Sequence, residues 1–165
     1  MALIKLNNQS LTAVSALPAG ITDLTIDSSG NVTMPNQPAF SAYKNGDQAI
    51  TSGVTTKITG WTTLFDVGSN WDNANNRYIA PVSGVYLIHL CVQSNTVQGL
   101  HVRIDKNGSS TWNSDAWLDG GDLNGIDNVY FAEANANDVF EARVYFTTSA
   151  NVNQSRTRFS VLKVA

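Results

Sequence analysis

Between Gly84 and Val92 the chain has no polar side, and this limits its fold more than any other feature. Pro81 and Gly84 punctuate a short turn, and an almost unbroken apolar run follows. A strand covering one core alternates apolar and polar residues, because successive side chains point to opposite faces. Here Val85, Leu87, His89 and Cys91 form one face, and Tyr86, Ile88, Leu90 and Val92 the other. One face fills a β-sandwich core; the other needs a second layer or another copy of the chain. A self-associating β-protein is the expectation.

The length of 165 residues suits one domain with an appendage. Charged residues make up only 14%, against about a quarter in ordinary globular chains. Such a composition fits strands joined by polar turns and a surface partly covered by partners. The formal net charge of −3 supplies no basic stripe to neutralise phosphates, so nucleic acid is not an expected partner. Cys91 is the single cysteine, which excludes an intrachain disulfide. Between Leu90 and Val92 it reads as a small buried hydrophobe. No run is long enough for a membrane helix. The first residues lack both a basic leader and a sustained apolar stretch, so synthesis in the cytoplasm without export is expected.

Residues 1–38 differ from the rest. Their apolar residues are sparse and aliphatic, and they hold no aromatic residue. Leu24 to Ile26 and Asn31 to Met34 are spaced to pair as a hairpin around Asp27, Ser28, Ser29 and Gly30. An arm this short buries too little surface to be stable alone. It must lie on its own domain, on a sister subunit or on another protein. Pro35 and Pro38 close it off, which gives an extended arm over 1–38 and a folded domain over 39–165.

From Ala39 onward aromatics enter, and turn signals recur at short intervals. The pattern predicts strands at 39–43, 55–61, 63–67, 77–79, 84–92, 100–106, 128–132, 139–147 and 158–164. Turn residues separate several of them: Lys44-Asn45-Gly46, Gly68-Ser69-Asn70, Lys106-Asn107-Gly108 and Ala136-Asn137-Asp138. No helical periodicity of useful length is present. Many short strands without helices make the fold all-β, a sandwich or jelly roll. Two more strands repeat the two-faced pattern. Val139, Glu141, Arg143 and Tyr145 lie opposite Phe140, Ala142, Val144 and Phe146, while Leu162 and Val164 lie opposite Phe159 and Val161. A last strand this apolar belongs in the middle of a sheet or at a subunit contact. The residues expected in the core or at a subunit interface are Tyr86, Ile88, His89, Leu90, Val92, Tyr145, Leu162 and Val164.

This succession resembles the globular head of complement component one, subcomponent q, whose jelly roll is shared with the tumour-necrosis-factor family. Pro38-Ala39-Phe40-Ser41-Ala42 is similar to the opening strand, and Pro81-Val82-Ser83-Gly84-Val85-Tyr86 to the Pro-x-x-Gly-x-Tyr signature. Asn137-Asp138-Val139-Phe140 stands at the Gly-Asp-x-Val step, with asparagine where glycine is usual. Phe159-Ser160-Val161 matches the closing strand. The resemblance covers about 38–165 and implies a compact homotrimer around a three-fold axis. No collagen-like stalk precedes it, so the animal roles of the family are not carried over. In the arm, residues 2–11 and 30–35 resemble segments of small virion proteins of tailed bacteriophages.

Catalytic signatures are missing. His89 and His101 are the only imidazoles, and there is no nucleotide loop, nucleophile elbow or zinc motif. His89 in its apolar strand reads as a hydrogen-bonded core or interface histidine. With Cys91 two residues away, three copies on an axis would be needed to complete a zinc site. His101, Arg103 and Asp105 share a face, where Arg103 and Asp105 read as a surface ion pair. Asp119, Asp122, Asn124 and Asp127 offer hard oxygen ligands suited to calcium; the same residues equally serve as turn aspartates. Trp112 and Trp117 either form a flat sugar-stacking surface or pack beneath the long connection.

The sequence therefore leads to a non-enzymatic virion protein: a trimer decorating or cementing a phage capsid, with residues 1–36 docked on the major capsid protein or another virion protein. The alternative is a tail-fibre or spike tip that recognises host surface glycans or proteins. A glycan depolymerase ranks last, because paired acids on rigid strands are missing. No cofactor is expected apart from the calcium just weighed.

Overall fold

The computed structural model describes residues 37–95, 99–110, 116–118, 125–154 and 156–165, together with the strand pairs of 25–26 and 32–33; side chains at 110, 117 and 118 are outside the description. The chain divides into two units, Met1–Gln37 and Pro38–Ala165. In the first unit, β1 (Thr25–Ile26) pairs antiparallel with β2 (Val32–Thr33), with Thr25 opposite Thr33. This is the pairing that the hairpin spacing predicts.

The second unit is all-β among its described residues. In chain order its strands are β3 (Ala39–Lys44), β4 (Gln48–Ile50), β5 (Thr56–Lys57), β6 (Trp61–Val67), β7 (Trp71–Asp72), β8 (Arg77–Ile79) and β9 (Gly84–Gln93). They continue with β10 (Leu100–Lys106), β11 (Ser109–Ser110), β12 (Ala116–Leu118), β13 (Gly125–Ala134), β14 (Val139–Phe146), β15 (Ala150–Val152) and β16 (Arg158–Lys163). One sheet runs β13-β9-β16-β3-β6. The facing sheet runs β11-β10-β14-β8-β7, with β12 and β5 attached to β10 and β14. All these pairings are antiparallel. Sequence-distant strands lie side by side, as a jelly roll requires. β16 sits between β9 and β3, so the apolar last strand is central.

Alternation assigns the faces. In β9, Tyr86, Ile88, Leu90 and Val92 are fully buried, while Val85, Leu87, His89 and Cys91 are half-buried. The core opposes Phe40, Tyr86 and Phe159 of the first sheet to Trp71, Tyr78 and Phe140 of the second. Phe40 stacks on Trp71 with centroids 4.5 Å apart, and Tyr86 lies 6.1 Å from Phe140. Offset and tilted rings at such distances add to what their buried area contributes.

The signature residues have local causes. The Tyr86 hydroxyl donates to the Val82 carbonyl at 2.7 Å, so a buried phenol satisfies its polar end and holds the preceding turn. A Cβ on Gly84 would run into the Ala165 carbonyl, which accepts the Val85 N–H at 2.7 Å. Asn137 has φ 73°, the left-handed conformation that glycine adopts freely and asparagine tolerates. Its neighbour Asp138 accepts from the Asn135 N–H and from the Asn107 amide.

The ion pair expected at the surface is buried. Asp105 is 1% exposed, because Arg103 of its own strand and Arg143 of the adjacent β14 fold over it. Their Nε atoms lie 3.0 and 2.7 Å from its oxygens, although neither contact has hydrogen-bond alignment. Arg143 also donates to Glu141 at 2.9 Å, and Lys57 bonds the same carboxylate. Desolvation opposes the Glu141 charge, but Lys57 and Arg143 outweigh it and hold the carboxyl below its usual range.

Candidate functional site: an outward apolar sheet face

The outward face of the five-stranded sheet is built from three rungs fixed by strand register. Phe131, Leu87, Leu162, Ala39 and Val67 form the first. Val129, His89, Ser160, Ser41 and Phe65 form the second, and Asp127, Cys91, Arg158 and Tyr43 the third. Phe131 is 62% exposed, Val129 59% and Phe65 51%. Leu162 and Val164 are exposed too. Single apolar residues on a surface are ordinary, but a contiguous set across a whole sheet marks a contact surface.

The face has relief. Ser41 and Ser160 share a hydroxyl hydrogen bond of 2.8 Å at its middle. Ser160 borders a hollow of about 250 Å³ lined also by Ala39, Phe65, Leu87, His89 and Leu162. A register shift between Ser41 and Ala42 leaves Leu64 without an opposite residue. This bulge explains why Leu64 and Phe65, neighbours in a strand, are both exposed.

One polar cluster interrupts the face. His89 Nε2 lies 2.8 Å from Asp127 Oδ1. The histidine hydrogen bond is the main cause holding the Asp127 carboxyl below its ordinary range, and the Cys91 thiol contributes a weaker bond. Burial, then Asp127, pushes the Cys91 thiol up to about 11, so it is not a reactive nucleophile at neutral pH. Among the described residues no group of three or more His, Cys, Asp or Glu side chains is gathered to hold a metal.

The predicted residues separate cleanly. Tyr86, Ile88, Leu90 and Val92 are core; His89 and Leu162 are on the outward face, and Val164, just past the end of β16, is exposed. Tyr145 belongs to neither: it is half-buried on the outside of the second sheet, opposite His101. Asp119, Asp122, Asn124 and Trp112 lie outside the described residues. Of that segment, Asp127 is engaged with His89, and the Trp117 backbone pairs with His101 in β12.

Val129 and Phe131 were not singled out by the sequence, for a clear reason. In β13 the inner positions are Asn128, Ala132 and Ala134, which are buried, and Ile126 and Tyr130, which pack against the core, while Val129 and Phe131 point out. Large apolar side chains stand on both faces of this strand, so residue size alone does not select its inner face. The legible signal is the Val129/Phe131 alternation itself.

The two packed sheets define a jelly-roll β-sandwich. No protein-family profile matches the sequence, and no curated protein sequence matches it, but solved structures do. The globular domain of zebrafish complement 1qA protein is similar at 14% identity, covering 78% of this chain and 98% of that one, with a TM-score of 0.57. Murine APRIL matches at 11% identity over 78% of this chain and 99% of its own, with a TM-score of 0.58. The Eiger tumour necrosis factor from S. frugiperda matches at 10% identity over 79% and 94%, also with a TM-score of 0.58. At such identities the likeness establishes the fold: the complement-head and tumour-necrosis-factor kind of jelly roll.

Proposed function

We propose that this chain is a non-enzymatic structural protein that works as a homotrimer, its copies joined through the outward face of the five-stranded sheet. The observation that carries the reading is that face itself, with Phe131, Val129, Leu162 and Phe65 open to solvent around an apolar hollow. Removing each from water on association contributes on the order of 1–2 kcal/mol, since about half of each side chain remains to be buried. The resemblance read in the sequence implies three copies, and cyclic packing lets one lateral half of the face meet the other half of the next copy.

The proposed setting is the particle of a tailed bacteriophage, with residues 1–36 anchoring the trimer to the shell as a decorating or cementing protein. The arm's likeness to small virion proteins supports this, as does its inability to bury a core of its own. Electron cryomicroscopy of the whole particle tests it. Many copies on the capsid with the arm seated on shell subunits is the expected result, and retention on empty capsids after deletion of residues 1–36 contradicts it.

A second reading, a host-binding tip, is favoured by the polarity of the domain. Pro38 and Ala165 lie at one end, joined through Lys163 and Val85. The turns around Gly46, Gly53 and Gln154 lie at the other, linked by hydrogen bonds from Gly46 to Gln154 and from Gly53 to Phe146. A chain attached through its N-terminal residues would present that second end. A few copies confined to the tail would favour this alternative.

A further inference from the structure

The outward face of the five-stranded sheet is unequal from side to side. β13 is one margin of that sheet and β6 the other. The acids of the face stand on β13, where the Asp127 side chain is 69% exposed and Glu133 is exposed as well. The cations stand across the sheet: Arg158 of β16 is exposed, and so is Arg156 just before that strand. Asp127 and Arg158 share a rung but do not meet within the chain. Asp127 bonds His89, while Arg158 leans toward β3, its guanidinium carbon 5.9 Å from the Tyr43 ring centroid. That contact steadies a long side chain and leaves its N–H fork available.

The apolar groups divide in the same way. Val129 and Phe131 project from the β13 margin, whereas the hollow lies over β9, β16, β3 and β6. A rotation about an axis parallel to the strands moves a residue sideways and keeps its level. Each rung then meets the same rung of the next copy, which brings Phe131 to Ala39 and Leu162, Val129 to Phe65, and Asp127 to Arg158. We propose that the β13 margin of one copy seats in the hollow of the next, with Phe131 and Val129 entering it and Asp127 pairing with Arg158 of that copy. The pairing rests on the self-association proposed above and adds which margin meets which. Contact between unlike patches closes into a ring when the rotation allows it. The charges fix the level, because a slip of one rung would press Asp127 against Phe65 and leave it unpaired.

Sedimentation of the full chain with Asp127→Arg, Arg158→Asp and the double reversal tests the pairing, with circular dichroism to confirm that each variant is folded. Either single reversal sets like charges together at every contact and should weaken association by about tenfold or more. The double reversal should recover most of the loss. As a second measurement, Val129→Cys and Phe65→Cys are combined in a Cys91→Ser background and oxidised. Within one chain these positions are roughly 19 Å apart by strand spacing, well beyond the reach of a disulfide, so any bridge joins two copies. Bridged dimers and trimers are expected, and neither single cysteine variant should give the bridged trimer. A trimeric parent whose association is unchanged by both single reversals, a double reversal as weak as the singles, or a trimer that yields no bridge overturns this pairing while leaving the trimer standing. A parent that sediments as a single chain overturns the self-association and this pairing together.

Discussion

His89 and Asp127 are diagonal neighbours on adjacent strands, their nitrogen and oxygen 2.8 Å apart on the outward side of the sheet. The pair also controls a third group, because Asp127 accepts from Cys91 and its charge opposes thiolate formation. Asp127→Asn should therefore lower the thiol pKa. The expected result is alkylation of Cys91 by iodoacetamide at mildly alkaline pH that is roughly two- to tenfold faster than in the parent. An unchanged rate would mean that burial alone governs the thiol.

The two faces of β9 differ in what they support. Ile88 is fully buried, so Ile88→Ala should cost about 2–5 kcal/mol in urea unfolding. Leu87, one residue earlier and half-buried on the outward face, should cost the folded subunit about 1 kcal/mol when cut to alanine. Its larger effect should be on association. Equal unfolding losses at both positions would contradict the face assignment.

Asp138 sets an acid limit. The Asn107 amide first, then the Asn135 N–H and Lys106, hold its carboxyl at about 2, against an ordinary 3.8. A depressed acid contributes stability that is complete above its unfolded value and is lost as pH falls through the folded one. The window is therefore from about 4 down to about 2. Asp138→Asn should lower Tm at neutral pH and show a smaller further fall across that window than the parent. Parallel Tm profiles would remove Asp138 as the cause.

Gly84 is required by a close approach. Gly84→Ala would drive its methyl into the Ala165 carbonyl and the Lys163 side chain, displacing the hydrogen bond from Val85 N–H. A loss of about 1–3 kcal/mol is expected. Deleting Ala165 in the same background should recover part of it, and denaturant midpoints of the parent and the two variants check this.

How far these residues were legible follows from where each effect originates. The two-faced character of β9 is written in consecutive residues, and so is the all-β pattern with its turns. Which face lies inside is not local: it depends on Phe40, Phe159 and Tyr78 arriving from distant strands. The burial of Asp105 is equally remote, because Arg143 reaches it from another strand. β13 is ambiguous by itself, since Ile126 and Tyr130 pack inward beside Asn128, Ala132 and Ala134 while Val129 and Phe131 stand outside. Positive φ at Asn137 is the opposite case: the turn sequence around it announces the conformation.

The central claim is that the outward sheet face joins copies of the chain, and sedimentation equilibrium on the full chain and on Phe131→Glu tests it most directly. The account predicts a species of three times the 17.8 kDa chain mass for the parent, and a folded single chain for the variant with its circular dichroism retained. A parent that sediments as a well-folded single chain at micromolar concentration, or a Phe131→Glu variant that remains fully trimeric, would contradict it.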